Sequence, residues 1–482
     1  MLRLFHKPSG LVLLFLLSCA MWSCGHREAQ EQSETTAEIF PDYDGVTVPN
    51  NIAPLNFEVR KAQRVVAHFA VDGQAVMRVS GKRYIDIPLK KWANLLQQAQ
   101  GKKVEVTVET WDDGHPKGVR HRSFVFYVDT TAIDACAAYR LIPPGYIEWN
   151  HMGLFQRDLT SFRETPIITN ETNGKGCLYC HSFCQYDADR FMFHARGKAG
   201  GTVIAHDGVL EKVALAQMPP HKEGTYPYWH PSGRFIAFSS NQTRQAFYDQ
   251  CQDKVEVYDN ESDLIVYNVV RKRVLTDERF TDSLSWETFP CFSPDGKWLY
   301  FCTASRCEMP IGTESLKYSL VRVPFDETTG KLGTEVDTIY SSSTQGGSVS
   351  LPRVSPDGKW LLLTHSSCAT FHIQHRDADL LLIDLSTGNA VAADKWNSAE
   401  ADSYHSWSSN GKWVIFASRR LDGRFTRLFI ASFADGKLGK PFLLPQKNPN
   451  SNALLLYSYN VPELIHARVK ISQDTMAKLF KQ

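Results

Sequence analysis

The chain has almost no excess of charge of either sign: 53 Lys and Arg face 52 Asp and Glu, for a formal net charge of +1. A basic footprint of the kind nucleic acid requires is therefore missing, and no nucleic-acid partner is expected. Long apolar runs are also missing. The longest, Leu11 to Trp22, is too short to span a bilayer. There is no Gly-x-Ser-x-Gly, no His-Glu-x-x-His and no phosphate-binding glycine loop, so none of the common hydrolase or nucleotide signatures is present. Carboxylates abound, but without geometry no acid–base pair stands out.

What is present begins with export. Basic Arg3 and Lys7, the apolar stretch Leu11 to Trp22 and a small residue before a cysteine are the three parts of a secretory signal. Cys19 and Cys24 compete as lipid acceptor, and the segment resembles a bacterial lipoprotein signal at either. Cys24 is favoured because the chain turns polar at once after it, at Gly25, His26, Arg27 and Glu28. Residues 1–24 are thus expected to be a signal ending at Cys24. That places the protein in the bacterial cell envelope, anchored by lipid on the periplasmic side or at the outer-membrane surface. Residues 25–50, rich in Glu, Gln, Ser and Thr, read as a flexible tether.

Aromatics reach 12%, and apolar residues fall in short alternating runs bounded by Gly, Pro, Asn and Asp. This is all-β composition. From 51 to 130 several such runs, with Val104, Val106 and Val108 alternating against polar neighbours and one helical insert at Trp92 to Leu96, predict a small immunoglobulin-like β-sandwich.

Four later segments align without gaps, starting at Tyr226, Phe289, Leu351 and Tyr404. Each runs through a Ser/His-Pro-Asp-Gly-Lys-like turn into a second apolar strand, and Gly233, Gly296, Gly358 and Gly411 recur at about one blade length. Pro presets φ and Gly supplies φ > 0 in a tight turn between two strands. This pattern closely resembles the TolB-type family of WD-like propeller repeats over residues from about 138 to the C-terminus. Two further units are reconstructed. Cys177 to Arg196 forms a degenerate hairpin, and Met152 to Thr169 joins Leu456 to Ile471 in a split unit that closes the ring. The expected fold is all-β, a six-bladed β-propeller over 138–475 preceded by the sandwich.

One segment departs from repetition: Gly176-Cys177-Leu178-Tyr179-Cys180-His181. Cys-x-x-Cys-His is the attachment motif of c-type haem, with thioethers at Cys177 and Cys180 and His181 on the iron. On this reading Met218, beside Pro219, is the favoured sixth ligand, with Met192, His194 and His221 as alternatives. The residues leave other chemistries open: a disulfide among Cys177, Cys180, Cys184 and Cys136, a metal site of Cys177, Cys180, His181 and Cys184, and thiol exchange. Setting Cys19 and Cys24 aside from the 11 cysteines leaves an odd number, so at least one thiol stays unpaired. Cys291 and Cys302 flank one expected tight turn, which leaves two readings open: a pair facing each other across the hairpin, or buried free thiols packing as small apolar groups. The leading expectation is a lipid-anchored propeller carrying one covalent haem c, for electron transfer or redox sensing with a protein partner. The alternatives are a haem-free scaffold for a protein or polysaccharide, and an accessory protein of cytochrome c maturation. The Arg419, Arg420, Arg424, Arg427 cluster around Leu421-Asp-Gly reads as a solvated hairpin, with a grip on an anionic partner as the alternative.

Overall fold

A computed structural model describes residues 28–143, 151–197, 200–248, 255–391 and 393–481. Cys19, Cys24 and the rest of the expected signal lie outside the described residues, as does Cys251. Among the described residues no helix is long and apolar enough to cross a membrane.

The N-terminal region builds one seven-stranded sheet around Arg64–Val71 and Lys103–Trp111, and a three-stranded sheet of Ile39–Phe40, Phe57–Val59 and Tyr84–Ile85. In Lys103–Trp111, Val104, Val106 and Val108 are buried while their neighbours up to Thr107 are partly or fully exposed, as the alternation predicts. Helix Leu89–Gln98 lays Trp92, Leu95 and Leu96 into the core, and the Trp92 indole donates to the Ile52 carbonyl at 2.8 Å. The expected tether differs. Glu31–Thr36 is a strand paired in parallel with Val119–Arg122, and Thr47–Val48 pairs with Phe124–Val128. The first is an exposed polar edge strand, held by its ladder rather than by burial, which is why composition reads as disorder.

After Cys136 the chain is propeller-like: six antiparallel sheets of four or five strands follow in order. Their first strands are Ser458–Ile465, Leu178–Phe183, Thr225–Trp229, Ser285–Phe292, Ser348–Val354 and Asp402–Trp407. Each packs against the next, and Ser458–Ile465 packs against both Asp402–Trp407 and Leu178–Phe183, so the series returns on itself. The split sheet is assembled differently from the expected two hairpins. Three strands from the N-terminal side (Cys136–Ile142, Gly153–Asp158, Glu164–Thr169) take one strand, Ser458–Ile465, from the C-terminal side. Residues past Ile465 leave the sheet and end in helix Gln473–Leu479.

The repeated turn is held by its own side chains. Ser293 Oγ donates to Asp295 Oδ1 at 2.6 Å, and the same Asp oxygen accepts Lys297 N–H at 3.1 Å, with Gly296 at φ 72°. Ser355 with Asp357 and Ser408 with Asn410 repeat the arrangement.

All six first strands share a second device. Cys180, Tyr226, Phe289, Leu351, Tyr404 and Val461 have φ between 45° and 53°, the left-handed region. Each sits at a register shift against the neighbouring strand, a bulge that re-aims one side chain. The four repeat units found in the sequence begin on these residues, and Cys180 and Val461 complete the set.

Candidate functional site

The six bulge residues line one cavity of about 920 Å³ at the meeting point of the sheets. Because the bulge aims one residue per sheet to the same place, the cavity inherits its lining from positions up to 281 residues apart in sequence, Cys180 to Val461. Loops beyond the first strands complete it. Six arginines (140, 196, 353, 376, 419 and 424) line it against two carboxylates, Glu400 and Asp422. The cavity is therefore cationic although the chain is nearly neutral.

Most of these arginines are engaged. Arg376 pairs with Glu400 at 3.2 Å, and Arg419 donates to Gln374 Oε1 at 2.7 Å. The Arg196 guanidinium lies 4.3 Å from the centre of the Tyr179 ring, and that of Arg353 lies 5.0 Å from Tyr228. Arg140 differs. Its Nε is buried without a hydrogen-bond partner, and it makes no ion pair among the described residues. It stands close enough to Cys177, Cys180 and His181 to act on each electrostatically. A buried, unanswered guanidinium N–H is costly unless something else accepts it.

Of the residues singled out in the sequence, Cys177, Cys180 and His181 reach this cavity, and Met218 does not. Met218 packs beside Leu215, Trp229 and Ile236, in the apolar layer between the second and third sheets. Met192 is buried in the same layer, His194 bonds Thr202 Oγ1 at 2.9 Å, and the His221 ring nitrogen approaches the Ala216 carbonyl. None of the proposed sixth ligands is brought to His181.

His181 is itself inaccessible. Its side chain is 2% exposed, and its Nε2 faces Glu463 Oε1 at 3.7 Å. Burial, with help from the nearby Arg140 charge, lowers its pKa to about 3. Burial likewise raises the Cys180 thiol to about 11 and lifts Cys177. An iron on His181 would need the space that Glu463 holds, so these residues do not fit the haem the motif suggests. No cluster of three or more His, Cys, Asp or Glu suited to a metal exists among the described residues, which removes the Cys177, Cys180, His181, Cys184 site. Cys184 packs in the apolar layer with Trp229, its thiol donating to the His230 carbonyl. The eight described cysteines are all free, Cys291 and Cys302 included.

Nothing in the sequence singles out Arg140 or Arg196. The solvated hairpin expected at 419–427 is not found: Arg419 and Arg424 line the cavity, Arg420 pairs with Asp402 at 2.6 Å, and the buried Arg427 donates to four backbone carbonyls. Only the bulge residues carried a signal, as the first residue of each repeat.

No family model matches the chain, and no curated protein matches it. Solved structures do. A puromycin-hydrolysing peptidase of Mycobacterium tuberculosis is 13% identical over 72% of this chain and 51% of its own, with a TM-score of 0.38. An oligogalacturonate lyase in complex with manganese is 11% identical over 64% of this chain and 74% of its own, TM-score 0.37. Prolyl oligopeptidase B of Galerina marginata is 10% identical over 64% and 44%, TM-score 0.36. The chain spans about half the length of the mycobacterial peptidase. The geometry of His181, with Glu463 against its Nε2, gives no support to a haem-bearing electron carrier. That expectation is corrected, and the haem-free scaffold and cytochrome-maturation readings draw no support either.

Proposed function

We propose that this protein binds a small organic anion in the central cavity of a six-bladed propeller, with Arg140 as the group that receives the negative charge. The observation that carries the reading is the buried Arg140 Nε, which has no partner among the described residues and stands at the wall of a cavity lined by six arginines and two carboxylates. An anion on Arg140 would turn a desolvated donor into a charge-assisted hydrogen bond, worth roughly 1.5–3 kcal/mol. Arg196 and Arg419 lie on the same wall and give a second and third cation. The thiols of Cys177 and Cys180 stay protonated at neutral pH, so they contribute shape rather than a nucleophile. The N-terminal sheets belong, in this reading, to an immunoglobulin-like domain that stands between the cavity and a lipid anchor in the cell envelope.

Calorimetric titration with mono- and dicarboxylates and with organic phosphates tests it. Binding that weakens about tenfold or more in Arg140→Met, with the fold intact, is the expected result. Equal affinity for neutral analogues, or no effect of Arg140→Met, would overturn it.

A further inference from the structure

The charge lining the cavity is uneven around the ring. Four of its arginines come from sheets that are neighbours in the ring: Arg140 from the first sheet, Arg196 from the second, Arg419 and Arg424 from the sixth. The third, fourth and fifth sheets face them and supply Val255, Val257, Phe289, Leu351 and Ile373, all buried at the cavity wall. Of the two arginines on that side, Arg376 is paired with the Glu400 carboxylate and Arg353 lies over the Tyr228 ring.

The apolar half owes its height to a hairpin. Phe235–Phe247 and Val255–Asn268 are far longer than their partners Thr225–Trp229 and Arg273–Leu275, which pair only with the hairpin's base. The outer part, from Thr243 opposite Asp259 to Phe247 opposite Val255, extends beyond the sheet as an arm. Strand alternation puts Thr243, Gln245, Val255 and Val257 on one face of this arm, and that face lines the cavity. On the other face Glu256 bonds His375 Nε2 at 2.8 Å, so the arm of the third sheet is moored to the fifth.

We infer that the ligand is an amphiphilic organic anion, with a carboxylate, sulfate or phosphate head at Arg140 and an aliphatic or alicyclic body against the valines of the arm. This rests on the anion reading above and narrows it: a compact hydrophilic anion would leave Val255, Val257 and Ile373 facing trapped water, whereas a hydrocarbon body would displace it.

The test uses the full chain and isothermal titration with sodium alkanoates from butanoate to decanoate, kept below micelle concentrations, beside succinate, citrate and octan-1-ol. Affinity is expected to rise about fourfold per methylene. Octanol should bind at least about tenfold more weakly than octanoate. Val257→Ser should flatten the chain-length series, its fold checked by circular dichroism. If that variant does not fold, the wild-type slope alone decides, since it needs no substitution. A flat series, or succinate and citrate binding as tightly as octanoate, overturns the amphiphile and leaves the anion reading standing. Absence of binding by every anion, with Arg140→Met indistinguishable from wild type, brings down both.

Discussion

Glu463 Oε1 lies 3.7 Å from His181 Nε2 beneath the cavity, and the two groups are displaced in opposite directions by the same cause. Burial raises Glu463 to about 7, though the Phe183 N–H donates to its Oε2 at 3.1 Å, and burial lowers His181 to about 3. At neutral pH the imidazole is uncharged, so the pair is not an ion pair.

The two shifts have opposite consequences for stability. Glu463 holds its proton in the folded state after the unfolded chain has lost it, so its contribution falls as pH rises from about 4.5 to about 7. His181 stays neutral when folded while the unfolded imidazole is charged, so its contribution falls as pH drops from about 6.5 to about 3. Between pH 4.5 and 6.5 the terms oppose each other. Glu463→Gln should therefore make stability rise with pH across that window by about 2 kcal/mol relative to wild type, and His181→Phe should make it fall by a similar amount. Urea midpoints at the two ends of the window check both. Slopes of the same sign in the two variants would show that the burial terms are misassigned.

The arm makes a separate prediction. Removing the buried acceptor in Glu256→Ala leaves His375 Nε2 without its 2.8 Å bond and frees the hairpin from the fifth sheet, at a cost of about 1–3 kcal/mol. Limited proteolysis should then cut the chain between 240 and 260 sooner than in wild type. Glu256→Gln, which keeps an acceptor, should restore most of the protection. Unchanged cleavage in Glu256→Ala would mean that the mooring contributes nothing to the arm.

The repeats were legible because a turn leaves a local mark: Ser293, Asp295 and Gly296 each bond or bend within five residues of one another. The cavity was not, since Arg140, Arg196 and Arg419 meet only after the ring has formed, and nothing near any of them in sequence distinguishes a lining arginine from a surface one. Glu31–Thr36 escaped notice for a related reason. Its partner Val119–Arg122 lies more than eighty residues on, and its side chains are those of a soluble linker. The Cys-x-x-Cys-His string misled in the opposite way. Read as a motif it names a cofactor. Set in register with Tyr226, Phe289, Leu351 and Tyr404, its second cysteine is the second sheet's bulge residue.

That ring of bulges carries strain where the side chain is branched. Val461 holds φ 50°, a conformation that costs a β-branched residue roughly 1–3 kcal/mol. Val461→Asn, which tolerates the left-handed region without glycine's extra entropy, should raise the thermal midpoint. Val461→Pro, locked near −65°, should lower it by several degrees or prevent folding. Scanning calorimetry gives both signs. A lower midpoint for Val461→Asn would show that packing of the valine outweighs its backbone strain.

If Cys180 is a bulge residue first, the second sheet should accept the chemistry of its neighbours. In four of the six sheets proline follows the bulge, at Pro227, Pro290, Pro352 and Pro462, while His181 and His405 stand in the other two. The double variant Cys180→Tyr with His181→Pro rewrites the second sheet as Tyr-Pro, the pair found at Tyr226 and Pro227. It removes an imidazole whose two ring nitrogens are buried without hydrogen bonds, an arrangement that costs about 1–3 kcal/mol per unanswered group. Stability equal to or above wild type is therefore expected from urea denaturation at pH 7, together with the native near-ultraviolet circular dichroism. Octanoate binding should change only as far as the tyrosine ring narrows the cavity, because Arg140 is untouched. Loss of the native spectrum in both the double variant and Cys180→Leu would mean that the cysteine and histidine are required as such, and that the repeat does not account for them.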